Sequence, residues 1–184
     1  MKKIVLIIVM VLPVALWSQN NSFSEDNQNF VFRTGYATFN QHSGHNFQLQ
    51  YDVSIIPYLN FVVGDIVNNT YRRNSLTLNA GDKSHCFSNT VYLGLGSGFD
   101  VFRRIKIGGI AAIGLDVFSA TSVNGSLFQA VCLSGVFTVD CTVMITEKFR
   151  VGLYGTLQCE KRDASYGEGS PLARIFGLEA AVAL

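Results

Sequence analysis

Read in steps of two, one stretch of the chain after another separates into an apolar row and a polar or small row, which is the signature of β-strands. In 46–55, Phe47, Leu49, Tyr51, Val53 and Ile55 alternate with Asn46, Gln48, Gln50, Asp52 and Ser54. A helix would scatter both rows around its circumference. Phe30, Phe32 and Tyr36 oppose Arg33, Gly35 and Ala37, and Val91, Leu93, Leu95 and Phe99 oppose Tyr92, Gly94, Gly96, Gly98 and Asp100. Ile105, Ile107, Ile113, Leu115 and Val117 oppose Lys106, Gly108, Ala112, Gly114 and Asp116. Val131, Leu133, Phe137, Val139 and Val143 oppose Ser134, Thr138, Asp140 and Thr142. Phe149, Val151, Leu153 and Leu157 oppose Arg150, Tyr154, Thr156 and Gln158, and Phe176, Leu178, Val182 and Leu184 oppose Gly177, Glu179 and Ala181. The stretch 59–67 reads either way, and Asp65 is placed inward there only by analogy with the other strands.

The pattern predicts eight strands of about ten residues, the length a tilted strand needs to cross a bilayer. Three connections are tight, around Pro57-Tyr58, Arg103-Arg104 and Thr146-Glu147-Lys148, and four are longer and polar, at 40–45, 68–89, 119–126 and 161–171. Short turns on one side and long loops on the other are the asymmetry of an outer-membrane barrel, with both ends of an even-stranded chain on the short-turn side. The cost of a charge on the lipid face, about 2–4 kcal/mol for Arg or Lys at mid-depth, assigns Arg33, Asp52, Lys106, Asp116, Asp140, Arg150 and Glu179 to the lumen. Eight strands leave a lumen that side chains fill. A plugged, polar interior is therefore expected, with no wide pore.

Composition agrees with this and adds a leader. The chain is 48% hydrophobic and 15% charged, with a net charge of +1, which offers no basic field for nucleic acid. Met1-Lys2-Lys3 followed by the apolar run 4–17 reads as a cleavable signal peptide over 1–18, because 14 apolar residues are too few to span as a helix. A short polar segment, 19–29, separates it from a barrel over 30–184. Removing Lys2 and Lys3 leaves 12 basic against 13 acidic residues, a net of −1. Downstream no stretch reaches 18 uninterrupted apolar residues, so a membrane location requires a closed barrel, the other structure that satisfies its backbone in lipid.

The opening strand Arg33-Thr34-Gly35-Tyr36-Ala37, followed by Asn46-Phe47-Gln48-Leu49-Gln50-Tyr51 and a Pro-containing turn, resembles the start of the small OmpX-like and OmpA-like outer-membrane barrels. The resemblance implies an all-β, eight-stranded antiparallel up-and-down transmembrane barrel, inserted by the outer-membrane assembly machinery. That machinery prefers an aromatic final residue, whereas this chain ends in Leu184. No appended periplasmic domain is expected.

Candidate chemistry is sparse. His42, His45 and His85 fall in expected loops, and two histidines are too few ligands for a metal site. His85-Cys86-Phe87-Ser88-Asn89 superficially resembles the His-x-Ser-Asn run of the lipid A deacylases, with a spacing one residue longer, and would make His85 and Ser88 a hydrolytic pair. Cys132 and Cys141, nine residues apart, belong to opposite faces of one strand, with Cys132 toward the lumen and Cys141 toward lipid. Cys86 and Cys159 both lie near the outer rim, within reach of each other only if the long second loop folds over, and four unpaired buried thiols are the simpler expectation. Gly94-x-Gly96-x-Gly98 lies within a strand with no helix after it, so it is no nucleotide loop. The sequons at Asn68 and Asn124 carry little meaning in a bacterial-type barrel. Arg72, Arg73 and Lys83 suit either lipopolysaccharide phosphates or plain solubility.

The pattern thus favours a small structural or adhesive outer-membrane barrel of a Gram-negative cell, with no cofactor and with loops as its interaction surface. Its partners would be outer-membrane lipid, lipopolysaccharide, the assembly machinery and an extracellular ligand. The alternatives are a lipid A-modifying hydrolase using His85 and Ser88, and a soluble exported barrel holding a small apolar ligand, which would need the apolar row inside.

Overall fold

The computed structural model describes residues 28–39, 42–56, 58–72, 83–102, 104–122, 125–161 and 172–184. The expected signal peptide and cleavage site, most of the polar segment after them, Arg73 and the sequon asparagine Asn124 lie outside the described residues. Eight strands follow one another: β1 (Gln28–Phe39), β2 (His42–Ile56), β3 (Leu59–Arg72), β4 (Lys83–Phe102), β5 (Ile105–Ser122), β6 (Leu127–Met144), β7 (Phe149–Lys161) and β8 (Leu172–Ala183). Each pairs antiparallel with its neighbours in sequence, and β1 pairs with β8 to close the barrel. Closure leaves no sheet edge with unpaired backbone groups, the condition for crossing lipid with strands.

The alternation sets which face is which. On β1, Val31 and Arg33 are 3% and 1% exposed, whereas Phe32 between them is 43% exposed. The same parity runs through the other strands and turns a belt of Phe, Leu, Val and Ile outward. An apolar exterior of this extent suits lipid, and it excludes the soluble ligand-binding barrel, whose apolar row would face in.

Three tight turns join β2 to β3, β4 to β5 and β6 to β7. In the third, the amides of Ile145 and Thr146 both donate to the Phe149 carbonyl, at 2.9 and 3.1 Å. Gln28 and Leu184 meet on the same side, the Leu184 amide donating to the Gln28 carbonyl at 3.1 Å.

Two sequence expectations are corrected. The strands are longer than ten residues: β4 has 20 and β5 and β6 have 18 each. His42 pairs with Arg72, Tyr71 with His85, and Ala120 with Phe128, so His42, His45, His85 and Ser88 sit in strands and not in loops. Once a strand rises out of lipid both of its faces can be polar, so the alternation fades while the ladder of backbone hydrogen bonds continues. The second correction is Asp65. On β3 the buried row is Val62, Gly64, Ile66, Asn68 and Thr70, which turns Asp65 outward between Val63 and Val67.

The lumen is also less polar than expected. Val62, Ile66, Tyr92, Ile110, Ala112, Val136, Tyr154 and Ile175 form an apolar cluster inside it together with Ala37. Room for the large rings comes from glycine: a Cβ on Gly64 would lie 2.4 Å from the Tyr92 ring and 2.7 Å from the Leu49 carbonyl oxygen.

Candidate functional site

Arg33 organises the short-turn half of the lumen. Its Nε donates to Glu179 Oε2 at 2.5 Å, its Nη1 donates to Gln50 Oε1 at 2.5 Å, and its Nη2 lies 3.8 Å from Asp140 Oδ2. The Tyr92 hydroxyl donates to the same Gln50 oxygen at 2.9 Å, and Gln50 Nε2 donates to Asp52 at 2.6 Å. The guanidinium also lies 5.6 Å from the centre of the Tyr154 ring. A buried guanidinium needs this many acceptors, because an unpaired one loses its hydration without return. Gly108 leaves space for the Asp140 carboxylate, which a Cβ there would approach to 2.6 Å.

Around this cluster lies a small cleft of about 40 Å³ lined by Arg33, Asp52, Lys106, Asp140, Arg150 and Glu179. Six of the seven charged residues assigned inward from the sequence thus line one cleft. Asp116 lies apart, fully buried, and accepts from the Thr90 hydroxyl at 2.7 Å.

Above the ion pairs a chain of amides and hydroxyls crosses the lumen. The Tyr154 hydroxyl donates to Asn46 Oδ1 at 2.8 Å, and Asn46 Nδ2 donates to Asn68 Oδ1 at 2.7 Å. Asn68 Nδ2 donates to Ser88 Oγ at 3.0 Å and to Gln158 Oε1 at 3.1 Å, and Gln158 Nε2 donates to Thr90 Oγ1 at 2.7 Å. Gln48 joins Asn46 to Thr156, and Thr156 meets Thr138 at 2.8 Å. These amides occupy the inward row that the alternation assigns, although no motif marks them as a network. They link β2, β3, β4, β6 and β7, and Gln158, Thr90 and Asn46 are 0% exposed. The barrel is closed by packed side chains, as an eight-stranded interior permits.

The remaining candidates separate. His85 faces outward, its Nε2 2.6 Å from Asn69 Oδ1 and its ring stacked 4.7 Å from Tyr71, whereas Ser88 faces the lumen. Three residues apart on one strand, they lie on opposite faces and cannot exchange a proton as a hydrolytic pair. His42 is buried and His45 exposed, so they share no site either. No group of three His, Cys, Asp or Glu side chains among the described residues could hold a metal. None of the four cysteines is in a disulfide: Cys86 and Cys132 are buried inside, and Cys141 and Cys159 are exposed outside. The possible Cys86–Cys159 bond is therefore absent, the two thiols lying on opposite faces of the wall. Asn68, the first sequon's asparagine, is buried in the lumenal network.

No protein-family model and no curated protein matches the chain. Among solved structures, neisserial surface protein A superposes with a TM-score of 0.58 at 12% identity, over 85% of this chain and 95% of that one. The N-terminal β-barrel domain of Pseudomonas aeruginosa OprF gives a TM-score of 0.52 at 10% identity, over 85% and 96%. Ail, the attachment invasion locus protein of Yersinia pestis, gives 0.51 at 11% identity, over 85% and 97%. At such identities the likeness is one of fold. The fold is that of the small eight-stranded outer-membrane barrels, and the apolar belt of this chain is the surface such a barrel presents to lipid.

Proposed function

We propose that the protein is a structural or adhesive outer-membrane barrel that acts through its outer end, without transport through the lumen and without catalysis. The observation that carries this reading is the division of the molecule into a filled lumen and polar strand tops. Arg33, Gln158, Val62, Ile66 and Val136 are at most 1% exposed, so solute has no path past them. The strands continue outward beyond the apolar rows into Ser43 and His45 on β2, Ser119 and Thr121 on β5, and Gln129 on β6. This reading assigns contact with an extracellular partner or neighbouring lipopolysaccharide to the strand tops and to the sequence segments between them, 40–41, 73–82, 123–124 and 162–171. The lumenal ion pairs hold the barrel rigid beneath that surface.

The test is attachment of cells to a surface or to other cells. Variants with 73–82 or 162–171 replaced by short glycine-serine linkers are expected to lose attachment while the barrel still inserts. Equal attachment by both variants, or a changed lipid A profile in cells expressing the intact chain, would refute the reading.

A further inference from the structure

Arg174 and His45 stand at one height on the outer wall. On β8 the outward row is apolar from Leu184 at the short-turn end up to Phe176, and Arg174 comes next. On β2 the outward row from Ile55 up to Phe47 is aliphatic or aromatic, and His45 comes next. Each run spans ten residues, 184 to 174 and 55 to 45. At about 3.4 Å per residue and a tilt of about 40°, ten residues rise about 26 Å, the full height of an apolar band of about 25 Å. Both side chains therefore emerge at the band's outer edge, where lipid headgroups begin.

β1 joins them. Tyr36, 42% exposed, is in register with His45 on one side and with Phe176 on the other, and Arg174 is in register with Thr38, two residues above Tyr36. Direct partners lie about 5 Å apart and diagonal ones about 7–8 Å, so the guanidinium, the phenol and the imidazole share one patch. Arg174 and His45 are exposed, and among the described residues none of the three side chains has a hydrogen-bond or ion-pair partner. The outward rows of β8, β1 and β2 hold no Asp or Glu, so nothing on this wall neutralises Arg174. A cation at the edge of lipid extends toward the nearest polar group. The three donors suit an oxyanion: arginine forks onto a phosphate with two parallel N–H···O bonds, and tyrosine and histidine add single donors. At this height on the long-loop side stands the outer leaflet, whose lipopolysaccharide carries phosphates on the sugars just above its acyl chains.

We infer that Arg174, Tyr36 and His45 form a binding site for the phosphorylated lipid A headgroup of one lipopolysaccharide molecule, with its acyl chains along the apolar rows below. This rests on the membrane-barrel reading above and gives lipopolysaccharide a place on the β8–β1–β2 wall. The test is native mass spectrometry of the full chain, extracted folded in a non-ionic detergent and given bisphosphorylated lipid A, lipid A stripped of its phosphates, or phosphatidylglycerol. One bisphosphorylated lipid A per barrel is expected to stay bound, about tenfold more tightly than either other lipid, the scale of one charge-assisted hydrogen bond. Arg174→Gln is expected to abolish that preference, and Tyr36→Phe to weaken binding about threefold, the scale of one neutral hydrogen bond. Lys148→Gln, in a tight turn at the other end, is expected to change nothing. Equal retention of bisphosphorylated lipid A and either other lipid, its displacement by inorganic phosphate at the same concentration, or equal losses from Arg174→Gln and Lys148→Gln would overturn the inference. A compact band from the unheated protein alongside equal retention would strike the site and leave the barrel standing, whereas the absence of a compact band would strike the barrel reading itself.

Discussion

Arg33 and Glu179 face each other across the seam where the first strand meets the last, in direct register and joined Nε to Oε2 at 2.5 Å. The pair ties residues 146 positions apart, so it forms only when the barrel closes. Both side chains are nearly inaccessible, at 1% and 6%. Removing Glu179 leaves the buried Arg33 guanidinium with only Gln50 and the more distant Asp140, a partial loss of compensation whose upper range is about 3–5 kcal/mol. Glu179→Leu is therefore expected to lower stability by up to that much in equilibrium urea unfolding from phospholipid vesicles. Arg33→Met combined with Glu179→Leu is expected to recover part of the loss, since neither member of the pair then stays behind. Additive losses in the double variant would contradict a direct pairing.

Gly64 tests the packing of the lumen. Alanine there drives a methyl against the Tyr92 ring and the backbone of β2, with an expected loss of about 1–3 kcal/mol. Shrinking the ring with Tyr92→Leu in the same chain is expected to return some of it. If Gly64→Ala unfolds at the wild-type urea concentration, the close approach of β3 and β4 side chains is not as described.

The thiols report sidedness. In detergent, the folded protein is expected to take maleimide at Cys141 and Cys159 and to resist at Cys86 and Cys132 until it is boiled. Intact mass after labelling distinguishes the two sets, and reductant is expected to leave gel mobility unchanged. A labelled Cys132 in unheated protein would mean an open lumen.

Conductance tests the filled interior more severely. The wild-type barrel is expected to show no steady current steps in a planar bilayer. Replacing Gln48, Thr156 and Gln158 with glycine removes three members of the cross-lumen chain and is expected to produce flickering steps. Large steady steps from the unsubstituted protein would contradict the plug.

Most of the architecture was legible in the alternation, and particular residues explain where it was not. On β2 the two rows differ sharply, Phe47 and Leu49 against Gln48 and Gln50, so one register places every side chain. On β3 they do not, because Val62 and Ile66 inside are as apolar as Val63 and Val67 outside. The pattern then gives no parity, and analogy turned Asp65 the wrong way. Near the outer end, Asn68, Asn69 and Thr70 are polar on both faces and read as a loop, although their ladder to β4 continues to Tyr71. The histidines were misplaced for the same reason. The inward ion cluster was accessible because the cost of charge in lipid leaves one side for it. The apolar lumenal cluster was not, since nothing local marks an inward valine from an outward one.

The most direct measurement is membrane fractionation followed by a gel of heated and unheated protein. A closed barrel with an apolar outer belt partitions with the outer membrane, stays compact in detergent without heating and changes mobility on boiling. Recovery in the soluble periplasmic fraction, with one mobility before and after boiling, would contradict the account.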